Sequence, residues 1–437
     1  MDLKTDEGSW QRVAIGTLCL LASPVAAVEG GLAFYVVQVG GGEALEPTLS
    51  YAPNGTLWYS GMTELSNVFP RNANLWWAST DTSSFLQETD PPTFGGADAV
   101  VHHDSNGRLF FAEGVRPTRV AVRHNTVWQP STSSGVDTVT TIPNADRPWL
   151  VTLSNGTTYL AVWNRTDTVN PNADIVEVYR NATGVYGWEL DTKNATGAKG
   201  LAAFANDTAD TLYILAKSFD QTQWKVAMRP SASNAWSDSA SFSFNADPNV
   251  NTGFGIPRMV TDLWNNLYVV YGDNRTESGV EQFSIWLRRY EASSDSWTAP
   301  FRIAQVNHSA ALAGVGAGST GMIGVSWYDA EGRFFPSSAD ATTQWDVHYA
   351  VIEHADTTPV IVDEAVVKTS AHHGPIRSQG LPLGDLTFVA RRHGDAAGKA
   401  AIAFACDDAM GGACVSASLA FARPFFAVQT AGRGLLE

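Results

Sequence analysis

The chain has 437 residues, with 15 Trp, 12 Tyr, 20 Phe, 38 Gly and 20 Pro, and almost no long stretch with helical periodicity. That composition suits short aromatic strands separated by turns, and all-β folds of this length often form one domain. With 28 Lys and Arg against 44 Asp and Glu the formal net charge is −16, which argues against a nucleic-acid or anionic-membrane partner, because both need clustered cations.

Residues 1–27 read as an export signal. Arg12 precedes an apolar run from Val13 to Ala22, and Pro24-Val25-Ala26-Ala27 offers small residues for cleavage. An acidic start (Asp2, Asp6, Glu7) leaves an uncleaved anchor as the alternative, although the apolar run is short for a membrane span. Once the signal is removed, no other segment is long enough to cross a membrane.

Asn-x-Ser/Thr sequons at Asn54, Asn155, Asn164, Asn181, Asn194, Asn206, Asn274 and Asn307 fit an exported, glycosylated chain. Of the three cysteines, Cys19 lies in the signal, and Cys406 and Cys414 bracket a short loop they would staple in an oxidising compartment. These features together place the protein outside the cytoplasm or on the cell surface.

From residue 31 onward a unit of roughly 40–55 residues recurs, the period of propeller blades. Its clearest element is an apolar second strand after a tight turn. Seven copies are Thr56–Ser60, Arg108–Ala112, Thr158–Trp163, Thr211–Leu215, Asn266–Tyr271, Met322–Trp327 and Lys399–Phe404. Asn54-Gly55, Asn106-Gly107, Asn155-Gly156 and Asn265-Asn266 precede four of them and suit the positive-φ positions of tight hairpins. The best-defined copy is Val325 to Glu353, two strands joined by a polar loop. Strands apolar on both faces fit blades packed between neighbours. Gly31–Val39 is left over and predicts a strand closing the ring by completing the last blade. The expectation is one all-β domain over 28–437, a seven-bladed propeller of four-stranded antiparallel blades. Six blades follow if Gly31–Val39 does not close the ring.

Glu46-Pro47-Thr48-Leu49, Asp146-Arg147-Pro148-Trp149-Leu150, Trp327-Tyr328-Asp329-Ala330 and Leu383-Gly384-Asp385-Leu386 resemble blade motifs of sialidase-like propellers. The nearer resemblance is to secreted propellers with degenerate sialidase (BNR-type) repeats. The Asp-box of that family is a structural turn between the outer two strands. It survives here only in eroded form, as Ser79-Thr80-Asp81-Thr82-Ser83 and Ser293-Ser294-Asp295-Ser296-Trp297.

In a propeller, the loop entering each innermost strand and the loop between strands two and three share one face. This placement puts Asp146, Arg147, Arg258, Arg377 and Asp385 near inner-strand starts, and Arg71, Asp273, Asp329 and Asp346 beside the other loops. Arginine forks hold carboxylates bidentately, and Trp149, Trp327 and Tyr328 offer apolar stacking for a sugar. The competing expectation is that each Arg pairs with a local Asp and ties blades together. The resemblance implies, for an active sialidase, a Tyr nucleophile, carboxylates and three arginines. Here Phe254-Gly255-Ile256-Pro257-Arg258 has Gly where the family's first Arg belongs, and Tyr328 beside Asp329 is the one weak candidate for catalysis.

His102-His103 and His372-His373 are poor metal-ligand pairs, because neighbours on a strand point to opposite faces, and they read as solvated loop residues. No metal motif is present and no cofactor is expected, apart from a structural calcium ion at Asp329 or Asp407-Asp408 as an open alternative. The first expectation is therefore a non-enzymatic recognition or adhesion module for an acidic glycan or extracellular protein. The alternatives are a sialidase-type glycoside hydrolase acting on acidic sugars, and a surface-layer or filament subunit that contacts copies of itself.

Overall fold

The computed structural model describes residues 31–40, 45–62, 73–78, 84–88, 98–114, 118–124, 127–129, 137–138, 145–165, 174–182, 188–193, 199–218, 222–233, 235–239, 241–243, 256–277, 280–376, 383, 387–392, 394–407 and 422–436. Seven antiparallel sheets follow one another along the chain as the blades of a propeller. The inner strands of blades 1 to 7 are Leu45–Tyr51, Ala99–His103, Ala145–Thr152, Lys199–Asn206, Arg258–Thr261, His308–Ala317 and Phe388–Arg391. Each of the seven second strands expected from sequence pairs with its inner strand. The segment 325–353 forms the middle of blade 6, where Ile323–Glu331 pairs with Gln344–Glu353.

Ring closure follows the leftover strand. Blade 7 takes three strands from the C-terminal end and its outermost strand, Ala33–Gln38, from the N-terminal end, with Val36 opposite Ala427. The chain's first and last described strands are thereby held together by ladder hydrogen bonds.

The turn after each inner strand repeats one conformation. Its fourth residue has positive φ in all seven blades: Gly55, Gly107, Gly156, Asp210, Asn265, Gly321 and Gly398. Only Gly, Asn and Asp reach that region at low cost, which is why Asn-Gly pairs mark these turns. Neighbouring turns are laced together. The Ser154 amide and hydroxyl donate to Asp210, those of Thr208 donate to Asn265, and the Gly321 amide donates to Asp262.

The core lies between blades, on both faces of each sheet. Trp327 faces blade 5 with Tyr268, Val270 and Ile285, whereas the adjacent Tyr328 faces blade 7 with Phe404 and Ala405. Period-two alternation thus sends successive aromatics into different inter-blade layers. The remnant Ser293–Trp297 sits as expected at the turn between the third and outer strands of blade 5, where Asp295 has positive φ and accepts from the Tyr290 hydroxyl at 2.7 Å.

The paired histidines are not in solvated loops. His102 and His103 lie on the inner strand of blade 2. They point to opposite neighbours, His102 to the Thr152 hydroxyl of blade 3 at 2.9 Å and His103 to the Ser50 hydroxyl of blade 1 at 3.2 Å. His372, on the outer strand of blade 6, is buried with Nδ1 2.6 Å from Asp407.

Candidate functional site

The seven inner strands enclose a central cavity of about 370 Å³. At the start of the inner strands the ladder slips by a residue in blades 1, 3, 4 and 6, between Leu45 and Thr48, Asp146 and Trp149, Lys199 and Leu201, and Ala311 and Gly314. The bulges of blades 1 and 3 carry charged positive-φ residues, Glu46 at 50° and Arg147 at 51°, and Asp98, just before the unshifted inner strand of blade 2, has φ 51° as well. Glu46 and Arg147, which unlike Asp do not reach this region at low cost, are strained by about 1–3 kcal/mol each, and such strain concentrates at functional sites. Gly114 of blade 2 makes the close approach feasible, since a Cβ there would collide with the Pro148 ring of blade 3.

These positive-φ positions bring together Glu46 of blade 1, Asp98 of blade 2, and Arg147 with its neighbour Asp146 of blade 3. Asp98 hydrogen-bonds to both Glu46 and Asp146. Burial raises its pKa most, and the Glu46 charge raises it further. The Asp146 hydrogen bond and Arg147 pull the other way, and the result is a carboxyl at about 7. A small cavity of about 20 Å³, room for one water, lies among Glu46, Thr48, Asp98, Arg147 and Trp149. It shares the walls Val100 and Trp149 with the central cavity.

Arg258 begins the inner strand of blade 5, as expected, and lines the central cavity. It is buried, with its guanidinium 5.1 Å from the Trp149 ring of blade 3. Trp149 is half-buried and borders both cavities. Asp146, Arg147, Arg258 and Trp149 are therefore the expected residues that come together at the mouth. Arg71, Arg377 and Asp385 lie outside the described residues.

Other candidates are placed elsewhere. Asp329 does not face the channel. It is buried between blades 5 and 6, where it accepts from Trp327 Nε1 at 2.9 Å and sits 2.5 Å from His308 Nδ1. Asp273 pairs with Arg275 at 2.8 Å, and Asp346 accepts from the Ser370 amide and the Gln344 side chain. Trp327 and Tyr328 are core side chains rather than a stacking platform, because a second strand has neighbouring blades on both faces. Tyr328 is 1% exposed. Its hydroxyl donates to the Ala405 carbonyl and accepts from the Ala405 amide, and burial pushes its pKa far up. A phenol so held has no route to a substrate, which removes it as a nucleophile.

Asp98 was not apparent from sequence, although Ala97-Asp98-Ala99 stands where Glu46-Pro47 and Arg147-Pro148 stand in the flanking blades. Superposing the repeats on their inner-strand starts would have found it. Among the described residues no group of three or more His, Cys, Asp or Glu side chains is arranged to hold a metal ion. Two of the three carboxylates considered for calcium are engaged by histidines, Asp329 by His308 and Asp407 by His372. Asp408 lies outside the described residues.

Exposed sequons remain at Asn54, Asn155 and Asn307. In all three the amide oxygen is already bonded, to the Thr56 amide, the Thr157 amide and the Arg333 guanidinium, which leaves the nitrogen outward. Asn164 and Asn181 are buried at 4% and 0% exposure, so the folded chain gives a glycan no room there. Asn206 and Asn274 are half-buried, and Asn194 lies outside the described residues.

No protein-family model and no curated protein matches the chain. Solved structures similar in fold include a fungal alcohol oxidase, at TM-score 0.52 and 10% identity, covering 92% of this chain and 76% of that one. A polysaccharide lyase, an ulvan lyase, has TM-score 0.49 and 8% identity, covering 85% and 94%. A sialidase from Streptococcus pneumoniae has TM-score 0.43 and 11% identity, covering 93% and 72%. At these identities the likeness is one of fold.

Proposed function

We propose that this protein is an exported, glycosylated propeller that recognises an acidic glycan, or an acidic segment of an extracellular protein, at the channel mouth over blades 1 to 3. The observation that carries the reading is the meeting of Glu46, Asp98, Asp146 and Arg147 at the inner-strand starts of blades 1 to 3, beside a cavity walled by Trp149 and Arg258. Carboxylates accept hydrogen bonds from sugar hydroxyls, the guanidinium groups hold a sugar carboxylate, and the half-buried indole offers an apolar edge. Export is supported by the signal-like segment 1–27, by the exposed sequons and by Cys406, a disulfide-bonded cysteine whose proposed partner Cys414 lies outside the described residues. Among the described residues no helix is long and apolar enough to span a membrane.

A glycan-array screen with protein from an export-competent host tests this reading. Binding of uronic- or sialic-acid glycans that falls at least tenfold in Arg147→Ala and Arg258→Ala, both still folded, is expected. Silence towards every acidic glycan and acidic peptide would overturn it and favour the reading as an assembly subunit.

Glycoside cleavage is the second reading, favoured by one observation. Burial and the Glu46 charge raise Asp98 to about 7 beside other carboxylates, a separation of the kind acid–base catalysis uses. Turnover of fluorogenic acidic glycosides that disappears in Asp98→Asn would establish it.

A further inference from the structure

Away from the channel mouth, blade 6 carries an alternating row of imidazoles and carboxylates, one from each of its four strands. His308 comes from the inner strand, Asp329 from the second, His348 from the third and Glu364 from the outer strand Val360–His373. His308 Nδ1 lies 2.5 Å from Asp329 Oδ2, and His348 Nε2 lies 4.0 Å from that same oxygen. His348 Nδ1 is 3.0 Å from Glu364 Oε1. Four strands at a spacing of about 4.8 Å make a row roughly 14 Å long, the full width of the blade.

We infer that this row is a proton-binding brace, which clamps the outer strand of blade 6 when His348 is doubly protonated and releases it when the proton leaves. A neutral imidazole has one N–H and can serve only one acceptor. His348 has Glu364 in hydrogen-bond contact at Nδ1 and the Asp329 carboxylate at ion-pair distance from Nε2, so only the imidazolium adds an ion pair with Asp329 to a charge-assisted bond with Glu364.

The backbone gives the brace something to do. The ladder between the third and outer strands slips at Trp345/Val347, at Val347/His348 and again at Val351/Ile352. The His348–Glu364 contact spans the regular pairs His348–Val366 to Ala350–Glu364, directly beside the slip at Val347/His348, and ties the two strands where the ladder resumes. The outer strand runs 14 residues, whereas the outermost strands of blades 1, 4 and 5 have two. It has more edge to fray than they do.

The charged surroundings favour the proton. Asp346, on the same strand as His348, adds a third carboxylate, and Glu331 stands opposite His308 in register. Lys368 of the outer strand donates to the Thr369 carbonyl. Blade 5 presents apolar Val270 and Ile285 to this layer, with the neutral Gln282 amide donating to the His308 carbonyl. The Trp327 ring lies 5.5 Å from the His348 ring. Burial pulls the His348 pKa down, but the Glu364 hydrogen bond and the Asp329, Glu364 and Asp346 charges outweigh it and raise it above its ordinary value. A raised histidine stabilises the folded state below the unfolded value of about 6.5, and that stability is lost as pH rises through the folded value.

The test follows the imidazole ring of His348 by NMR in histidine-labelled full-length protein from pH 5 to 9, with the resonance assigned in His348→Gln. Hydrogen exchange of Val360–His373 is measured over the same range, with strand Leu57–Met62 of blade 1 as the internal reference. A ring midpoint above about 6.5 is expected, with outer-strand protection, corrected for intrinsic exchange, falling severalfold from pH 6 to pH 8.5 while blade 1 holds. In Glu364→Gln the midpoint should drop and the pH dependence of protection should vanish. A midpoint at or below the ordinary value, or an outer strand that follows the same pH course as blade 1, overturns the inference. The exchange reading comes from the wild-type chain alone, so it decides the matter even if a variant fails to fold.

Discussion

The amide of Ser319, in the inner turn of blade 6, donates to the carbonyl of Leu435 at 2.7 Å. That bond fastens the C-terminal tail beneath a blade other than its own. Leu435 and Leu436 also donate their amides to Gly398 and Ala397 in the inner turn of blade 7, Arg433 pairs with Glu353, and the Leu435 side chain is fully buried. Ring closure thus has two fastenings, the Ala33–Gln38 strand at the rim and this tail under the turns.

Leu435→Ala should cost about 2–4 kcal/mol, read from urea unfolding, because it empties a buried leucine site and loosens the tail. Gly318→Ala should act in the same direction by a different cause. A Cβ there would overlap the Leu435 carbonyl oxygen, which is backbone and cannot swing away. Equal stability of wild type and Gly318→Ala would show that the tail is not a fastening.

Asp262 is the most heavily used carboxylate of the inner turns. It is 2% exposed and accepts from the Trp264 and Asn266 amides, the Asn266 side chain, the Tyr268 hydroxyl and the Gly321 amide of the next blade. Asp262→Ala would strand these donors in a buried turn, and an unfolding free energy lower by about 3 kcal/mol or more is expected. Asp395 accepts from the Ala397 and Lys399 amides in the corresponding turn of blade 7 and has the partly exposed Arg392 guanidinium 3.8 Å away, and all three of these partners belong to blade 7 itself. Asp395→Ala should therefore cost clearly less, and denaturant titration of the two variants side by side checks the ranking.

The turns explain why so much of the fold was legible. A positive-φ residue is needed at one place per blade; Asn-Gly pairs announce it in three blades, and the apolar second strands that recur after the turns mark the other four. The site was less legible for a reason tied to the same strands. When both faces of a strand are buried, nothing in Trp327-Tyr328-Asp329 marks which residue meets solvent, and all three prove to be interior. Inner-strand starts were more informative, because Arg147-Pro148 and Glu46-Pro47 mark the bulge. Asp98 lacks a following proline and was passed over, although its backbone takes the same shape.

Stability should respond to pH through groups shifted in opposite directions. Burial, foremost, raises Asp98 to about 7, so the stability it favours is present below the ordinary carboxyl value of 3.8 and is lost as pH rises through about 7. Burial, again foremost, lowers His102 to about 4 and His103 to about 3. Their contribution is present above 6.5 and is lost as pH falls through those lower values. Asp98→Asn should therefore gain on wild type steadily from pH 4 to pH 7.5, whereas His103→Asn should gain on wild type from pH 6 down to pH 4. Melting temperatures of the three proteins across pH 4–8 would reveal both trends, and parallel curves would contradict them.

Tyr328 separates a structural phenol from a catalytic one. Its hydroxyl bridges the Ala405 amide and carbonyl of blade 7, so Tyr328→Phe leaves two buried backbone groups without that partner. A loss of about 1–3 kcal/mol is expected, with the fold intact because the ring still fills its layer. Glycan binding at the mouth should be unchanged, since the mouth is built from blades 1, 2, 3 and 5 and Tyr328 belongs to the layer between blades 6 and 7. Calorimetric unfolding beside a binding titration distinguishes the two roles. Loss of stability with affinity kept fits a structural tie, whereas affinity or turnover lost at unchanged stability would return Tyr328 to the site.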